Sequence, residues 1–419
     1  MIIFWSCNVL PSSIAELLGK KKSFSGGWLD MLCSHVINDK SNSFFILVPG
    51  NRKTKHIRKT VIAENITSYE ANMQMNIERL KMMIYDILKE VKPEIIHQFG
   101  TELITSVALT RAVSLAGMKD RFIVSVQGVT GYIARQYSRL IPPKYLRLHT
   151  LLGFLKEQDL CDRINHLIKM SKVEGYILNN ARYILGRTDL DFSFCRYYGA
   201  DNKYIKCGET LRDEFYTGEW NFDKVEEGSI FSSTNSGAVK GLHILLDALS
   251  KVVLRHPEVH LYVTGKNILK TPRWKLNSYE LFILKKIKKL HLEERVTFLG
   301  LIPAQEMKER ILKSNVVVVS SVAENSSNFL GESMLLGAPC VASDVGGNKE
   351  FLENGVEGYC YQYDSPELLA YYIESVIEKG ETIKEIASRG SAHAKENYAL
   401  SNFLVVLNLY KRIVENGNK

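Results

Sequence analysis

The chain has 419 residues, of which 45% are hydrophobic and 24% charged, with a net charge of +8. That length is too great for one ordinary core and calls for two domains, while the composition is that of a globular protein rather than a disordered or fibrous one. No segment is low in complexity and no repeat of 20–50 residues occurs, which excludes solenoids and propellers.

The opening MIIFWSCNVLP lacks a basic leader and a small-residue cleavage site, so residues 1–5 read as a buried first strand and not as a signal peptide. Ser25-Gly26-Gly27 follows, ahead of a helical stretch at 28–37. Glycines at that point permit close approach of backbone to a ligand. Further strands are expected at 43–48, 94–97, 122–126 and 183–186. Residues 76–92 carry Ile77, Leu80, Met83, Ile84, Ile87 and Leu88 at helical spacing. His97 ends a strand in IIHQFGTEL, with Glu102 close behind, and Val126-Gln127-Gly128 ends the next.

From 132 to 174 the chain becomes basic, aromatic and leucine-rich, broken by Pro142-Pro143. Helical packing is one account of it. The other is a surface that meets a membrane or a lipid-linked acceptor, because Arg, Lys and Tyr interleave with Leu and Phe. Basic runs at 20–22, 51–59 and 285–289 allow a similar pair of readings, solvated faces or attraction to anionic lipid and phosphorylated substrates. No nucleic-acid motif accompanies them.

Strand and helix alternate again beyond Gly228. Strands are expected at 229–233, 260–264, 295–299, 316–320, 339–343 and 358–361, with helices at 241–255 and 305–312. This divides the chain into a first domain at 1–208, a linker at 209–227, a second domain at 228–398, and a helix within 399–419 that packs back on the first domain. Alternation of this kind specifies α/β domains with parallel sheets, and ligands at the carboxyl ends of their strands. No stretch of about 18 uncharged apolar residues predicts a membrane-spanning helix. The 7 scattered cysteines form no CxxC pair and suit a reduced cytosol, as buried inert thiols.

Residues 316–350 carry the chemistry. A valine strand ends in the polar loop Ser321–Asn328, a helix follows from Phe329, Gly337 closes it, and Gly346-Gly347 precede a helix bearing Glu350. A loop that feeds a helix presents amide N–H groups and a positive dipole end, which suits a diphosphate. Ser326, Ser327 and Asn328 add donors, while Glu324 and Glu332 can accept from sugar and ribose hydroxyls. Spacing of two glutamates alone is uninformative; the strand, loop and glycine context gives it meaning.

The segment resembles the Glu-x7-Glu element of family 4 retaining glycosyltransferases, and its Glu324-Asn325-Ser326-Ser327-Asn328 is similar to a variant in bacterial surface-polysaccharide clusters of capsule and O-antigen type. The resemblance implies the GT-B fold, two doubly wound Rossmann-like domains facing across a cleft. It implies that Glu324 contacts the donor sugar, Glu332 binds ribose, and the backbone of Asn325, Ser326, Asn328, Phe329, Leu330 and Gly331 cradles the diphosphate. Lys240-Gly241 resembles the family's phosphate-binding lysine, with Asn235 standing where the family has arginine, so that Arg187 or Arg212 is a substitute cation. Gly26 and Gly27 match the glycine loop that faces the donor, and His97 lies on the acceptor side as a third catalytic candidate beside Glu324 and Lys240. A hydrogen-bonded strand-end histidine is the plainer reading of His97. SxQG around Gln127, GRTDLD and CGETLRDEFY also resemble these relatives.

The function implied is retaining transfer from a nucleoside-diphosphate sugar to a hydroxyl of a glycan or lipid-linked oligosaccharide. Such an enzyme works without a metal ion or further cofactor, in the cytoplasm or at the inner face of the membrane. A sugar-nucleotide epimerase or hydrolase on the same fold, and a non-catalytic nucleotide-sugar-binding protein, are the alternatives. An oxidoreductase fits poorly because no GxGxxG follows the first strand.

Overall fold

A computed structural model describes residues 1–20, 26–50, 56–156, 158–234 and 237–417. Asn235, Ser25 and much of the basic runs at 20–22 and 51–59 lie outside the described residues. The chain forms two compact units, Met1–Gly131 with Ile168–Leu211 and Ala399–Lys419, and Tyr132–Leu167 with Arg212–Tyr398.

The first unit is built on strands β1 (Ile2–Ser6), β2 (Ser43–Pro49), β3 (Arg58–Ala63), β4 (Ile66–Ala71), β5 (Ile95–Phe99), β6 (Phe122–Ser125), β7 (Tyr183–Gly186) and β8 (Tyr204–Lys206). Their order is β3-β4-β2-β1-β5-β6-β7-β8, parallel except for the antiparallel β3–β4 pair. β1 lies between β2 and β5, and Ile3, Phe4 and Trp5 are fully buried. A strand covered on both faces is apolar without alternation, as IIFWS is.

Helix Ile77–Val91 starts where the Asn76 side chain accepts from the amides of Glu78 and Arg79, and ends at Lys92 in the left-handed conformation. Caps of this kind satisfy end groups that no helical partner can reach. Helix Phe403–Gly417 belongs to this unit and buries Val406, Leu409, Tyr410 and Ile413, the i, i+3, i+4, i+7 stripe of an amphipathic helix.

The second unit contains β9 (Glu226–Ser232), β10 (His260–Val263), β11 (Val296–Phe298), β12 (Ser314–Val319), β13 (Cys340–Ser343) and β14 (Tyr359–Tyr361). All are parallel, in the order β11-β10-β9-β12-β13-β14. The order reverses between β9 and β12, and at such a switch point the loops leaving the two strands diverge and open a crevice at their carboxyl ends.

Two segments sit elsewhere than the sequence places them. Residues 132–167 pack with the second unit: the Tyr145 ring lies 4.9 Å from that of Phe282, and Asp159 accepts from the Ser278 amide at 2.8 Å. The stretch at 209–227, expected as a linker, is built into the fold. Trp220 is buried, its amide donating to Leu336 O at 2.7 Å and its indole to Ser314 O at 2.8 Å.

Candidate functional site

At the carboxyl ends of β9 and β12 in the second unit, Lys240, Glu324 and the start of helix Asn328–Leu335 come together, whereas Gly26 and Gly27 belong to the first unit. After β9 the chain makes a short turn, Ala238–Lys240, then Gly241 at φ 68°, then helix Leu242–Arg255. A Cβ on Gly241 would lie 1.8 Å from Ser320 O, so only glycine lets the turn come this close to the end of β12. Two hydrogen bonds fasten the approach: the Val322 amide donates to Val239 O at 2.8 Å and the Ser320 hydroxyl to Lys240 O at 3.0 Å.

This stitching brings Lys240 to Glu324. The ammonium lies 2.5 Å from a carboxylate oxygen that also accepts from Ser321 Oγ at 2.7 Å. Lys240 keeps about a third of its side chain exposed, at 33%, and Glu324 11%. The pair is therefore open to a ligand on the lysine side.

Helix Asn328–Leu335 begins beside Glu324 with Ser327 as its N-cap, whose hydroxyl accepts from the Leu330 amide and whose carbonyl accepts from Gly331. Leu330 and Gly331 are thus engaged in the cap, while Asn328 and Phe329 hold first-turn amides that no helical carbonyl can reach. The Ser326 hydroxyl is buried, with no hydrogen-bond partner among the described residues. The loop is held from behind by the Gly347 amide on Asn325 O at 2.8 Å and by Ser343 Oγ on Ser321 O at 2.7 Å.

Glu332 is buried in the same helix and takes both of its contacts from Arg212: Nε reaches one carboxylate oxygen at 2.7 Å and Nη2 the other at 2.6 Å. Burial raises the carboxyl pKa, against the opposing pull of the guanidinium. A carboxylate has about four lone-pair sites, so two remain for hydroxyl donors while Arg212 holds the group. Arg212 is therefore committed to Glu332 and does not stand as the substitute phosphate cation expected from sequence.

Arg187, the other expected substitute, is in the first unit. It is buried in an ion pair with Glu209, and its Nη2 donates to the carbonyls of Val126 and Gln127 at 3.3 Å each. The pair borders a pocket of that unit, together with Trp28, Ser125, Gln127 and Thr210.

His97 requires a correction as a catalytic candidate. It is fully buried, with Nδ1 2.5 Å from Tyr410 Oη and Nε2 2.7 Å from Ser125 Oγ. The Trp5 indole donates to the same Tyr410 oxygen at 3.0 Å, so His97 is part of a continuous buried hydrogen-bond chain from Trp5 to Ser125. Burial pushes its pKa down to about 3, and both ring nitrogens are occupied. This is a neutral structural histidine of the β5 end, the plainer of the two sequence readings.

Gly26 has φ 91°, and a Cβ there would meet Val9 Cγ2 at 2.3 Å. Its requirement for glycine is thus explained by packing against Val9, and Gly27 starts the turn Gly27–Leu29.

Sequence reasoning missed Arg212 as the partner of Glu332, which lies 120 positions away. It also missed Tyr132, whose hydroxyl hydrogen-bonds the Gly346 backbone and whose pKa burial raises, with Glu324 among the nearby charges. No residue spacing announces either. A second pocket, lined by Thr234, Leu242, Thr264, Lys266, Tyr279 and Phe298, opens at the carboxyl ends of β9, β10 and β11. Among the described residues, no group of three His, Cys, Asp or Glu side chains is placed to hold a metal ion, and no helix is long and apolar enough to cross a membrane.

Residues 220–393 match the family model described as glycosyl transferases group 1. Spore coat protein SA of Bacillus subtilis is 28% identical over 171 residues, 38% of this chain and 42% of that protein. The chain spans about two fifths of the length of such curated relatives, 42% and 43% for two of them. Sucrose-phosphate synthase from Thermosynechococcus elongatus is similar in structure over 99% of this chain and 100% of its own, with a TM-score of 0.71 and 14% identity. Anabaena HepE in complex with UDP and glucose is similar over 97% and 98%, with a TM-score of 0.68 and 16% identity. At these identities the likeness is one of fold.

Proposed function

We propose that this chain, whose residues 220–393 belong to the group 1 glycosyl transferases and whose two α/β units have the GT-B fold, transfers a sugar from a nucleoside-diphosphate donor to a glycan hydroxyl with retention of configuration. The observation that carries the reading is the meeting of Lys240 with Glu324, 84 residues apart, at the switch point beside the start of helix Asn328–Leu335. A cation, first-turn amides and a carboxylate acceptor together fit a diphosphate linked to a polyhydroxylated ring.

In this mechanism Lys240 and the amides of Asn328 and Phe329 hold the diphosphate and stabilise the charge that grows on it as the glycosidic bond breaks. Donors already in place need no reorganisation during the step. Glu324 turns from Lys240 to hydroxyls of the transferred sugar, and Ser321 orients it. Glu332, fixed by Arg212, accepts from ribose. The charge is neutralised by lysine and amides, so a divalent ion is not assigned a part. In this reading the acceptor hydroxyl attacks the anomeric carbon on the face that the diphosphate leaves, its proton passes to the departing phosphate oxygen, and the configuration is retained.

The complex of HepE with UDP and glucose supports a nucleoside-diphosphate hexose as donor. The Asn- and Ser-rich loop supports an acceptor of bacterial surface-polysaccharide type, carried on a lipid and glycosylated on the cytoplasmic side. A panel of nucleotide sugars tested by shift in melting temperature, with wild type and Glu324→Ala, examines the reading. At least one donor should stabilise the wild type and be turned over only when a glycan acceptor is added. Stabilisation by none of them, or turnover unaffected by Glu324→Ala, rejects it.

A further inference from the structure

The short helix Leu151–Lys156 of the second unit turns large apolar groups outward. Leu151 is 61% exposed, Phe154 71% and Leu155 67%. Trp274, in the turn Arg273–Lys275 that packs against this helix, is 59% exposed. Single exposed apolar residues are ordinary, but four large ones brought together on neighbouring elements form a patch of the kind that marks an interaction surface.

The helix is held in this attitude from beneath. Asp159 is fully buried and accepts from the Thr150 amide at 2.8 Å, the Thr150 hydroxyl at 3.0 Å and the Ser278 amide at 2.8 Å. The Thr150 hydroxyl in turn accepts from the Gly153 amide at 2.9 Å, and a Cβ on Gly153 would fall 2.0 Å from the Asp159 carboxyl. Gly153 thus faces a buried carboxylate, leaving no room to roll Leu151, Phe154 and Leu155 inward. Their exposure is built in.

Charge on these two segments is mainly positive, with Glu157 the acid nearest to the patch in sequence. Residues 142–156 contain Lys144, Arg147 and Lys156, and residues 268–276 contain Lys270, Arg273 and Lys275, with no aspartate or glutamate in either stretch. All six side chains are exposed, and among the described residues none pairs with a carboxylate. The Lys275 ammonium lies 4.8 Å from the centre of the Trp274 ring.

We infer that this surface, formed by Leu151, Phe154, Leu155 and Trp274 with the lysines and arginines of the same two segments, docks on an anionic lipid membrane. Lipid headgroups offer the negative charge that the six cations complement, and the acyl boundary takes side chains that water rejects. Tryptophan among them is the residue whose ring favours that boundary. The inference is independent of the donor site, since it needs no nucleotide sugar and none of the residues placed around Lys240.

The test is co-sedimentation of the full chain with vesicles of phosphatidylglycerol and phosphatidylcholine, compared with pure phosphatidylcholine, at about 50 mM and about 500 mM salt. Binding should require the anionic lipid and weaken in the higher salt. The triple variant Leu151→Ser, Phe154→Ser, Leu155→Ser and the double variant Arg273→Glu, Lys275→Glu should each lose about tenfold or more in apparent affinity. Should a variant fail to fold, quenching of wild-type fluorescence by brominated lipid, absent in Trp274→Phe, supplies the same answer. Equal binding to both vesicle types, or unchanged binding of the triple variant, overturns the inference. So does a wild type that dimerises through this surface and ignores vesicles, with the triple variant monomeric.

Discussion

Arg212 grips Glu332 by both carboxylate oxygens, at 2.7 and 2.6 Å, inside the second unit. The guanidinium fork matches the carboxylate plane, so the contact fixes the direction of Glu332 as well as neutralising it. A hydroxyl-accepting carboxylate that is already aimed loses little freedom when a ligand arrives.

Removing one partner of such a pair leaves the other charged and buried. Arg212→Ala is expected to destabilise the protein by about 3–5 kcal/mol, and the double variant Arg212→Ala, Glu332→Gln by clearly less. Urea titration of the four corners of this cycle measures the difference. A loss in the double variant equal to the sum of the two single losses would show that the pair has no mutual dependence.

Gly241 gives a contrast between two glycines of similar backbone. Gly241 has φ 68° and Gly117 φ 69°, but a Cβ at the first would lie 1.8 Å from Ser320 O while nothing stands within 4 Å of the second. Gly117→Ala therefore carries only the left-handed strain, roughly 1–2 kcal/mol. Gly241→Ala adds a backbone collision and should cost about 3 kcal/mol or more, with loss of donor binding because the Lys240 turn must move away from β12. Melting curves and nucleotide-sugar binding of the two variants decide it.

What the sequence reveals of this fold follows the strength of its local patterns. The apolar runs at 43–48 and 316–320 correspond to β2 and β12, and the helix expected at 76–92 is observed as Ile77–Val91 between its Asn76 and Lys92 caps. The β3–β4 pair was not legible, because β3 (RKTVIA) is an edge strand with no fully buried residue, and its first two residues continue the basic run at 51–59 and leave only three apolar positions. Within the site, the loop carrying Glu324 is readable because strand, loop and glycine are consecutive. Its partners are not: Lys240 meets Glu324 only through the order of β9 and β12, and Arg212 meets Glu332 through packing of a segment that reads as a linker.

His97 couples stability to pH. Its pKa is pushed down to about 3 by burial, below the ordinary value of 6.5, so between those values the unfolded chain binds a proton that the folded chain refuses. Stability is therefore full above about 6.5 and is lost as the pH falls towards 3, by about 2 kcal/mol between pH 7 and 5 for this one group. His97→Gln cannot titrate, and its denaturation should show that much less dependence on pH over the same interval. A variant as pH-sensitive as the wild type would assign the effect to other groups, such as His243, which burial pushes down to about 4.

The Lys240–Glu324 pair separates chemistry from stability. The lysine is one-third exposed, and Ser321 still donates to Glu324 when it is gone, so Lys240→Ala should cost less stability than Arg212→Ala. As the proposed cation at the leaving diphosphate, it should lower kcat by about a hundredfold to a thousandfold. Lys240→Arg keeps the charge but not the compact ammonium, and should recover only part of that loss. Glu324→Gln removes the charge on which Lys240 rests and keeps a hydrogen-bonding side chain, so it should weaken sugar transfer while leaving binding of the bare nucleoside diphosphate intact. Steady-state kinetics beside calorimetry with the nucleoside diphosphate distinguishes these effects: Lys240 variants should lose affinity for the diphosphate and Glu324 variants should not. If instead Glu324→Gln loses the diphosphate and Lys240→Ala keeps it, the two roles have been assigned the wrong way round.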